Sequence, residues 1–307
     1  MIFLESICKR FDKDLNQIVD FSTTANKRYK TYKIKKRTSG TRTIEQPSKE
    51  LKLYQKFISE NIFLNLPVHE AVFSYKKNIS IKNLADKHKN NRYLLRIDFK
   101  DFFPSIKGEN IRLFLKNSNL KLSDLEITLI NLFVCKNNKL TIGASSSPSI
   151  TNVILFNFDN DVYKFCLEKN IIYSRYADDL YFSTNEKCIL SSILDYIKNY
   201  IFPYNINLYI NYDKNIFTSK KHRRIITGLT ITTDGNISVG RKQKQYIKSL
   251  INLYRYKCLE VEQIDYLKGY LNFLVHIEPI YIDNLKNKYG EDIINELFIN
   301  KFNNKEN

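Results

Sequence analysis

Several features are missing from this chain of 307 residues, and each absence excludes a class of protein. No apolar run reaches about 18 residues, so the sequence predicts no transmembrane helix. The five cysteines are odd in number, widely scattered and never spaced Cys-x-x-Cys, which argues for reduced thiols and against a zinc site. The first residues lack a basic segment followed by an apolar one, so we expect no signal peptide and a cytoplasmic location. Tryptophan is absent, and the aromatic residues are 21 Tyr and 20 Phe, most of which must lie in the core.

Acidic residues are outnumbered by basic ones. The chain carries 49 Lys and Arg against 32 Asp and Glu, a formal net charge of +17. This excess favours a polyanionic partner. A basic surface does not by itself identify nucleic acid, because attraction to membranes and general solubility remain alternatives. With 43% apolar residues and no internal repeat, the composition is that of a globular protein, and the length predicts a large core with two or three subdomains.

Two adjacent carboxylates stand within an apolar, β-rich run. Asp178 and Asp179 follow Tyr176-Ala177, and β-branched and aromatic residues flank them over 171–183, which predicts a hairpin with the pair at its tip. Two charges about 4 Å apart repel by roughly 4 kcal/mol at an effective dielectric constant of about 20. A hard divalent cation removes that cost, and Mg²⁺ takes oxygen ligands from one or two carboxylates plus substrate phosphates. Alone, such a pair is more often a solvated turn.

A third carboxylate falls at the end of a second predicted strand. Residues 93–99 have a strand pattern that ends near Asp98, and Pro104 marks the turn that follows. Asp98, Asp178 and Asp179 would then lie on two neighbouring strands. This arrangement predicts a two-metal site for in-line phosphoryl transfer. Three unrelated surface acids are the alternative.

The remaining patterns predict an α+β fold. Residues 1–26 look helical, and 27–48 read as a basic hairpin with a turn at Ser39-Gly40. Helices are predicted over 48–65, twice within 108–135, over 148–167 with Ser147 as N-cap and Pro148 as first residue, over 188–201, and repeatedly over 239–300 with Gly290 as a stop. With a further strand over 206–211, the segment from 93 onward follows the pattern of a β-α-β-β-α-β sheet. The tail 303–307 is predicted to be disordered.

Five motifs follow one another along the chain. They are Asp98-Phe99-Lys100-Asp101-Phe102-Phe103-Pro104-Ser105, Gly143-Ala144-Ser145-Ser146-Ser147-Pro148, Tyr176-Ala177-Asp178-Asp179, Asn211 with Lys214, and Ile226-Thr227-Gly228-Leu229. In this order and spacing they resemble the motifs of reverse transcriptases, and most closely those of the bacterial retron type. The last motif is similar to a Val-Thr-Gly segment of retron enzymes and carries the subfamily assignment. The resemblance runs from about Tyr29 to beyond Lys288.

The resemblance implies a right-hand polymerase with fingers, a ferredoxin-like palm and a helical thumb. Residues 1–26 would form an N-terminal helical extension, and residues 27–92 with 108–140 would form the fingers. The palm with the catalytic site would take residues 93–107 and 141–235, and the thumb residues 236–307.

The resemblance also implies catalytic roles. Asp98 and Asp178 would be direct ligands of two Mg²⁺ ions, Asp179 an ancillary ligand, and Phe99 part of the same metal site. One ion would lower the pKa of the primer hydroxyl, and the other would neutralise the leaving pyrophosphate. Lys214 matches a family lysine that acts as a general acid toward pyrophosphate.

Binding of the incoming deoxynucleoside triphosphate is assigned to Arg42, Phe103 and Gly143. Arg42 would reach the triphosphate from the fingers hairpin with help from Lys36 or Arg37, although each could equally be a solvated surface charge. Phe103 would block the 2′-hydroxyl of a ribonucleotide, and a core phenylalanine is the alternative. The loop from Gly143 would let a nascent base pair lie close to the backbone, or would be a linker of small residues.

RNA recognition is assigned to His88 and to Ile226, Thr227 and Gly228. The basic stretch 220–224 precedes this last motif, in the region where retron enzymes touch their cognate RNA. A solvated β-turn is the competing interpretation of that stretch, and a polar surface histidine is that of His88.

The chain departs from the family pattern in two places. Many reverse transcriptases have Pro-Gln-Gly before the small-residue loop, where this chain has Thr141-Ile142-Gly143, so the Gln contact is missing. Retron enzymes often carry an Asn four residues before the histidine, and here that position is Leu84.

We expect a retron-type RNA-directed DNA polymerase that copies part of its cognate structured non-coding RNA into multicopy single-stranded DNA. The family implies priming from an RNA 2′-hydroxyl, and an effector protein as a further partner in antiphage defence. Another bacterial reverse transcriptase, of the abortive-infection, group II intron-like or diversity-generating kind, is the alternative. The lack of a long C-terminal extension argues against the intron kind, and Ser147-Pro148 replaces the Ser-Gln usual in the diversity-generating kind. A non-catalytic RNA-binding scaffold is the alternative from a different class, and the three intact aspartates argue against it.

Overall fold

The computed structural model describes residues 2–35 and 40–298, which have the mixed α+β fold that the sequence predicted. The helices in chain order are α1 (Ile2–Phe11), α2 (Leu15–Thr24), α3 (Lys49–Asn61), α4 (Ile81–His88), α5 (Phe102–Ser105), α6 (Gly108–Lys116), α7 (Asp124–Val134), α8 (Ser147–Ile154), α9 (Phe156–Leu167), α10 (Ser191–Lys198), α11 (Arg241–Arg255), α12 (Val261–Ile277), α13 (Pro279–Tyr289) and α14 (Glu291–Phe298). The strands are β1 (Tyr29–Lys35), β2 (Thr41–Pro47), β3 (Tyr93–Asp98), β4 (Ile172–Tyr176), β5 (Asp179–Thr184), β6 (Ile216–Ser219), β7 (Arg224–Ile226), β8 (Leu229–Ile231) and β9 (Ile237–Ser238). Lys36, Arg37, Ser39 and the tail 303–307 lie outside the described residues.

The chain divides into two compact units. The first consists of Met1–Ile79 and Leu94–Phe217, and the second of Ser80–Tyr93 and Thr218–Asn307. The division into extension, fingers, palm and thumb stays a prediction. Within the part of the chain that the structure describes, no helix is both long and apolar enough to cross a bilayer.

The N-terminal part of the first unit contains three helices and the predicted basic hairpin. Side-chain caps begin two of these helices: Asp14 Oδ1 accepts from the N–H of Gln17 at the start of α2, and Ser48 Oγ caps α3. Strands β1 and β2 pair antiparallel from Tyr29 opposite Pro47 to Lys35 opposite Thr41. Most of their side chains are exposed.

A four-stranded sheet forms the centre of the first unit. Its strand order is β4-β5-β3-β6. Helices α5 to α9 lie between β3 and the hairpin β4–β5, and α10 lies between that hairpin and β6. With α9 packed against β4, the unit has the β-α-β-β-α-β order predicted from the sequence. The sheet and these helices enclose an aromatic cluster in which the rings of Phe99, Phe158 and Phe202 contact one another.

The prediction of a strand over 206–211 was wrong. The segment is extended, and Ile206, Leu208 and Ile210 are buried in alternation, but its only described pairing is a single bridge between Ile210 and Phe99. Short 3-10 turns at Pro203–Asn205 and Tyr212–Lys214 flank the segment and limit the ladder. The strand that completes the sheet is β6, a few residues later.

The predicted helix over 148–167 is divided, and the helix predicted over 188–201 is shorter. Leu155 leaves helical geometry with φ −92° and ψ 9°, which separates α8 from α9. Ser147 is not the N-cap: Ser146 holds that position, and Ser147 is the first helical residue, whose Oγ donates to the carbonyl of Thr141 at 2.9 Å. Pro148 lies in the first turn, as predicted, where its missing N–H costs no hydrogen bond.

The second unit combines a small sheet with helices. Its sheet has the order β7-β8-β9, and α4 packs against it. The helices α11 to α14 follow, and Gly290 ends α13 with φ 97°, the stop that the sequence predicted. Arg224 is buried inside this unit and donates to the backbone carbonyls of Lys89, Asn91 and Thr232, so it is not part of an exposed basic surface.

Candidate active site

The hairpin β4–β5 ends in the turn that carries the adjacent aspartates. Tyr176 pairs with Asp179, so Ala177 and Asp178 form the two-residue connection. Ala177 has φ 56°, in the left-handed region that residues with a Cβ seldom adopt. Its N–H donates to Ser74 Oγ at 2.9 Å. A side chain from outside the hairpin therefore helps to hold the turn.

A buried ion pair lies behind this turn. Arg175 and Asp159 are both 0% exposed, and the guanidinium donates to the two carboxylate oxygens at 2.8 and 2.7 Å. The Tyr173 hydroxyl donates to the same carboxylate at 2.8 Å. Arg175 Nη1 also donates to the carbonyl of Ala177 at 3.3 Å. Buried charges are tolerated only when they are paired and hydrogen-bonded, and the bonds to Asp159 meet that need and fix Arg175. Arg175, held in this way, gives the turn a second support through its bond to the Ala177 carbonyl.

Asp98 is brought to the same place by the end of β3. The N–H of Phe99 donates to the carbonyl of Asp178 at 3.2 Å, which joins β3 to the apex of the hairpin. The Asp98 carboxylate is only 5% exposed and accepts from Lys214 Nζ at 2.9 and 3.1 Å and from Asn211 Nδ2 at 3.1 Å. The Asn211 and Lys214 motif of the sequence thus meets the first aspartate.

Asp98 and Asp178 act on each other electrostatically. Burial, followed by the charge of Asp98, raises the pKa of Asp178, and Lys214 and Arg42 partly oppose this. The cause is that two carboxylates in a poorly solvated place disfavour simultaneous ionisation. Cations in the same place relieve that repulsion, so the pair has the electrostatic character of a cation-binding site.

Asp179 has different partners. Its Oδ1 lies 3.7 Å from Arg96 Nε, and its Oδ2 accepts from the Tyr181 hydroxyl at 3.3 Å. Burial, followed by the charge of Asp178, raises the pKa of Asp179 to about 6, and Arg96 opposes this. Asp179 is therefore near the other two aspartates but engaged by a separate set of side chains.

The donor set fits a cation that brings other ligands with it. Over residues 2–35 and 40–298, no group of three or more His, Cys, Asp or Glu side chains is arranged to hold a metal ion. Asp98 and Asp178 alone supply two carboxylates, and Mg²⁺ is commonly held by one or two carboxylates with the rest from water and substrate phosphates. The Phe99 ring is buried in the aromatic cluster, so only its backbone faces this site.

Arg42 lies on β2 and is exposed, and its charge acts on Asp178. Phe103 follows Asp98 in α5 and is half-buried against Phe102, which is the residue of the two that belongs to the core. The structure thus leaves the Phe103 ring partly accessible, whereas a core phenylalanine was the alternative.

Gly143 is needed where its loop meets β2. It has φ 118°, and a Cβ on it would lie 3.0 Å from the carbonyl oxygen of Glu45 and 3.1 Å from Ile44 Cγ2. The carbonyl of Ile142 accepts from the N–H of Glu45 at 2.8 Å. Close approach to the strand that carries Arg42 is thus sufficient reason for a glycine here.

Sequence reasoning missed two neighbours of the turn. Ser74 is 0% exposed and contacts Ala177 directly, and Tyr75 beside it is 52% exposed with φ 58°. Burial, followed by the charge of Asp178, raises the pKa of Tyr75. No motif marks either residue, and the one available signal was Arg175, a charged residue within a predicted strand.

The residues assigned to RNA recognition lie in the second unit. Ile226 pairs with Leu229, so Thr227 and Gly228 form a two-residue turn between β7 and β8, with φ 46° and 88°. Positive φ at both positions is typical of a type I′ turn, and it is rare for a β-branched residue such as Thr227. Gly228 is exposed and a Cβ on it would meet nothing within 4 Å, so conformation and not close approach explains this glycine.

His88 does not have the accessibility that a direct RNA contact needs. It ends α4 with 1% of its surface exposed. Burial, with a smaller effect of Lys87, lowers the pKa of His88 to about 3. The interpretation of His88 as a surface histidine is therefore wrong, because α4 turns this side chain into the unit, and a role of His88 in RNA binding stays a prediction.

Comparison with known proteins identifies the family. The model of the family "Reverse transcriptase (RNA-dependent DNA polymerase)" matches residues 34–267. The retron Ec83 reverse transcriptase of Escherichia coli is 36% identical over 278 residues, which are 88% of this chain and 89% of that protein. The chain belongs to the retron reverse transcriptases. The retron Ec73 reverse transcriptase of Escherichia coli is 32% identical over 86% of this chain and 88% of that protein. As a retron reverse transcriptase the chain is an RNA-dependent DNA polymerase, which confirms the resemblance drawn from the motifs.

A solved structure supports the fold of this retron reverse transcriptase. Apo telomerase from Candida tropicalis matches with a TM-score of 0.50 at 12% identity, over 88% of this chain and 61% of that chain. The chain therefore spans less than two thirds of the length of that structure. A reverse transcriptase implies an RNA template and deoxynucleoside triphosphates, and polymerases of this family generally use divalent metal ions.

Proposed function

We propose that this reverse transcriptase performs metal-assisted nucleotidyl transfer at the place where Asp98 meets Asp178. The observation that carries the proposal is the bond from the Phe99 N–H to the Asp178 carbonyl, which joins the end of β3, where Asp98 lies, to the hairpin turn that carries Asp178. Asp98 and Asp178 would hold two Mg²⁺ ions, and Asp179 would be an ancillary ligand with the Phe99 backbone beside it. When bound, the ions supply Lewis acidity to the primer hydroxyl and charge neutralisation to the leaving pyrophosphate.

Lys214 would hold the proton that pyrophosphate needs. Its ammonium lies against Asp98, which keeps a proton donor at the edge of the site while part of the side chain stays exposed. Transfer from Lys214 Nζ to a pyrophosphate oxygen would complete the displacement. The same ammonium also neutralises Asp98 when no other cation is near.

The incoming deoxynucleoside triphosphate would be bound between β2 and α5. Arg42 would contact the triphosphate, because its side chain is exposed and its charge lies close enough to Asp178 to lower the pKa of that carboxyl. Phe103 would exclude a ribonucleotide 2′-hydroxyl with its partly accessible ring. Gly143 would contribute by letting its loop lie close to β2, and hence close to Arg42.

We infer the polymerase subdivision for the whole chain. The four-stranded sheet would be the ferredoxin-like palm, with 27–92 and 108–140 as fingers and 236–307 as thumb, preceded by the extension 1–26. The β-α-β-β-α-β order and the telomerase likeness support this assignment.

We further propose that the template is a cognate structured non-coding RNA. The enzyme would prime from a 2′-hydroxyl of that RNA and produce multicopy single-stranded DNA, within an antiphage defence system that includes an effector protein. The support is the identity to retron enzymes, the net charge of +17 and the strained turn at Thr227. Within the predicted RNA-recognition set, Thr227 and Gly228 are accessible, whereas Ile226 and His88 are buried.

Sequencing of co-purified nucleic acid tests this function. We expect wild-type protein expressed with its genomic flanks to carry a branched RNA–DNA species, and Asp178→Asn protein to carry the RNA alone. Asp195→Asn, which changes an exposed carboxylate on α10, is the matched control and should retain the branched species. Branched DNA on Asp178→Asn would refute the proposed metal site. Unbranched DNA on the wild type would refute 2′-hydroxyl priming.

A further inference from the structure

The apex of the hairpin β4–β5 is held in an unfavourable backbone conformation. Ala177 has φ 56°, and a Cβ makes that region costly. Ala177 is also 6% exposed, so water cannot readily satisfy its peptide groups. A buried peptide N–H needs a partner inside the protein. The conformation therefore depends on what surrounds the turn.

Ser74 supplies that partner. Its Oγ accepts the hydrogen bond from the N–H of Ala177 at 2.9 Å, and Ser74 itself is 0% exposed. On the other side, Arg175 Nη1 donates to the Ala177 carbonyl at 3.3 Å. Both peptide groups of the strained residue are thus satisfied by side chains, one of which comes from a distant segment of the chain.

The segment around Ser74 is itself fixed along β4. The N–H of Phe73 donates to the carbonyl of Arg175 at 2.8 Å, and the N–H of Arg175 donates to the carbonyl of Ala71 at 2.8 Å. Asn152 on α8 donates from Nδ2 to the carbonyl of Ser74 at 3.0 Å. The hydroxyl of Ser74 therefore has little freedom to move away from the turn.

We infer that Ser74 is a positioning residue, whose hydroxyl fixes the Ala177 turn and thereby sets Asp178 beside Asp98. The inference rests on the proposed role of Asp178 and deepens it. Asp178 directly follows Ala177, and its carbonyl is the acceptor for the Phe99 N–H, so a rotation at Ala177 moves the carboxylate and weakens the joint to β3. Because Ser74 is 0% exposed, we expect it to act through the turn and not by contact with substrate.

Ser174 provides a matched control. It is also 0% exposed, it lies on β4 next to Arg175, and among the described residues its Oγ has no hydrogen-bond partner. Ser174→Ala and Ser74→Ala each delete one fully buried hydroxyl from the same region. Only Ser74→Ala removes the bond to Ala177.

The experiment measures metal binding as well as turnover. Each protein is mixed with an RNA template, a dideoxy-terminated primer and the next deoxynucleotide, and Mn²⁺ binding is followed by electron paramagnetic resonance. We expect Ser74→Ala to weaken Mn²⁺ binding and to lower kcat by about tenfold to a hundredfold relative to Ser174→Ala, with a smaller change in the KM for nucleotide. Mn²⁺ affinity and kcat within about twofold of Ser174→Ala would overturn the inference.

A second pair of variants covers the case in which Ser74→Ala folds poorly. Ser74→Thr and Ser74→Val have the same shape, but only threonine keeps the hydroxyl. We expect the threonine variant to keep Mn²⁺ binding and the valine variant to lose it, and equal behaviour of the two would overturn the inference. Asp178→Asn distinguishes a failure of the proposed active site from a failure of the proposed role of Ser74. If it still extends primers, the proposed active site is wrong, whereas its inactivity alongside a normal Ser74→Val variant refutes only the role of Ser74.

Discussion

Lys214 Nζ lies 2.9 and 3.1 Å from the two carboxylate oxygens of Asp98, although the residues are far apart in the chain. The contact joins the first aspartate motif to the Asn211–Lys214 motif at one point of the sheet. It also means that the carboxylate proposed to bind metal has a protein cation beside it. Two roles for Lys214 follow: it neutralises Asp98, or it donates a proton. The two roles predict different effects on kcat and KM when Lys214 is replaced.

Lys214→Gln should reduce kcat more than it raises the KM for nucleotide. A general acid contributes to the transition state, and its loss typically costs about a hundredfold to ten-thousandfold in rate. Single-nucleotide extension at saturating deoxynucleotide measures this, with Lys198→Gln at the end of α10 as the control. A variant that raises only KM would assign Lys214 to binding and not to proton transfer.

Phe103→Ala should admit ribonucleotides. Removal of a half-buried ring opens space near Asp98, and we expect the preference for dGTP over rGTP to fall on the order of tenfold or more. The ratio of kcat/KM for the two nucleotides is the measurement. Phe165→Ala is the control, because that ring is also half-buried and stacks on Tyr196. If the ratio is unchanged in Phe103→Ala, the Phe103 ring has only a packing role.

Gly228→Ala should weaken specific RNA binding, and Gly235→Ala should not. Both glycines have positive φ, 88° and 81°, and both lie in turns of the same small sheet with no Cβ contact closer than 3.7 Å. Each substitution should cost about 1 kcal/mol of stability, because alanine disfavours that conformation. Binding to the cognate RNA is measured against unrelated competitor RNA in both variants. Equal binding by the two would refute the role of the β7–β8 turn in recognition.

His88→Gln should make stability less sensitive to acid. The pKa of His88 is about 3 in the folded state, whereas its ordinary value is 6.5. Between these two pH values the unfolded state binds a proton at His88 and the folded state does not. Stability from this group is complete above pH 6.5 and falls as the pH drops toward 3. At pH 5 the loss should be about 2 kcal/mol relative to pH 7.5.

Urea unfolding at the two pH values measures this loss. Glutamine will also lower stability at both pH values through lost packing, so the informative quantity is the difference between them. His222→Gln, which changes an exposed histidine, is the control and should keep the wild-type difference. A wild-type difference in His88→Gln would mean that His88 is not buried as described.

The local part of this protein could be predicted from its sequence. The hairpin with Asp178 at its apex and the strand that ends at Asp98 follow from the alternation of apolar residues and from the turn between them. The order of β3, the hairpin β4–β5 and the longer helices from 93 onward follows in the same way, and so does the stop at Gly290, whereas β6 and the small sheet β7–β9 were not predicted. These features depend on residues close together in the chain, and five motifs in a fixed order were sufficient for the family.

The tertiary structure alone decided how the site is held. The segment 206–211 forms a single bridge, and β6 takes the place of the fourth strand of the sheet. Which segment becomes that strand depends on which backbone groups find hydrogen-bond partners, and the alternation of apolar residues over 206–211 does not reveal it. The burial of His88 depends on which face of α4 meets the small sheet. The bonds from Ala177 to Ser74 and from Lys214 to Asp98 join segments distant in the chain, and no local preference encodes such a meeting. The sequence determined most of the local elements and the chemistry of their side chains. Contacts between segments distant in the chain, which form only on folding, determined which side chains act together.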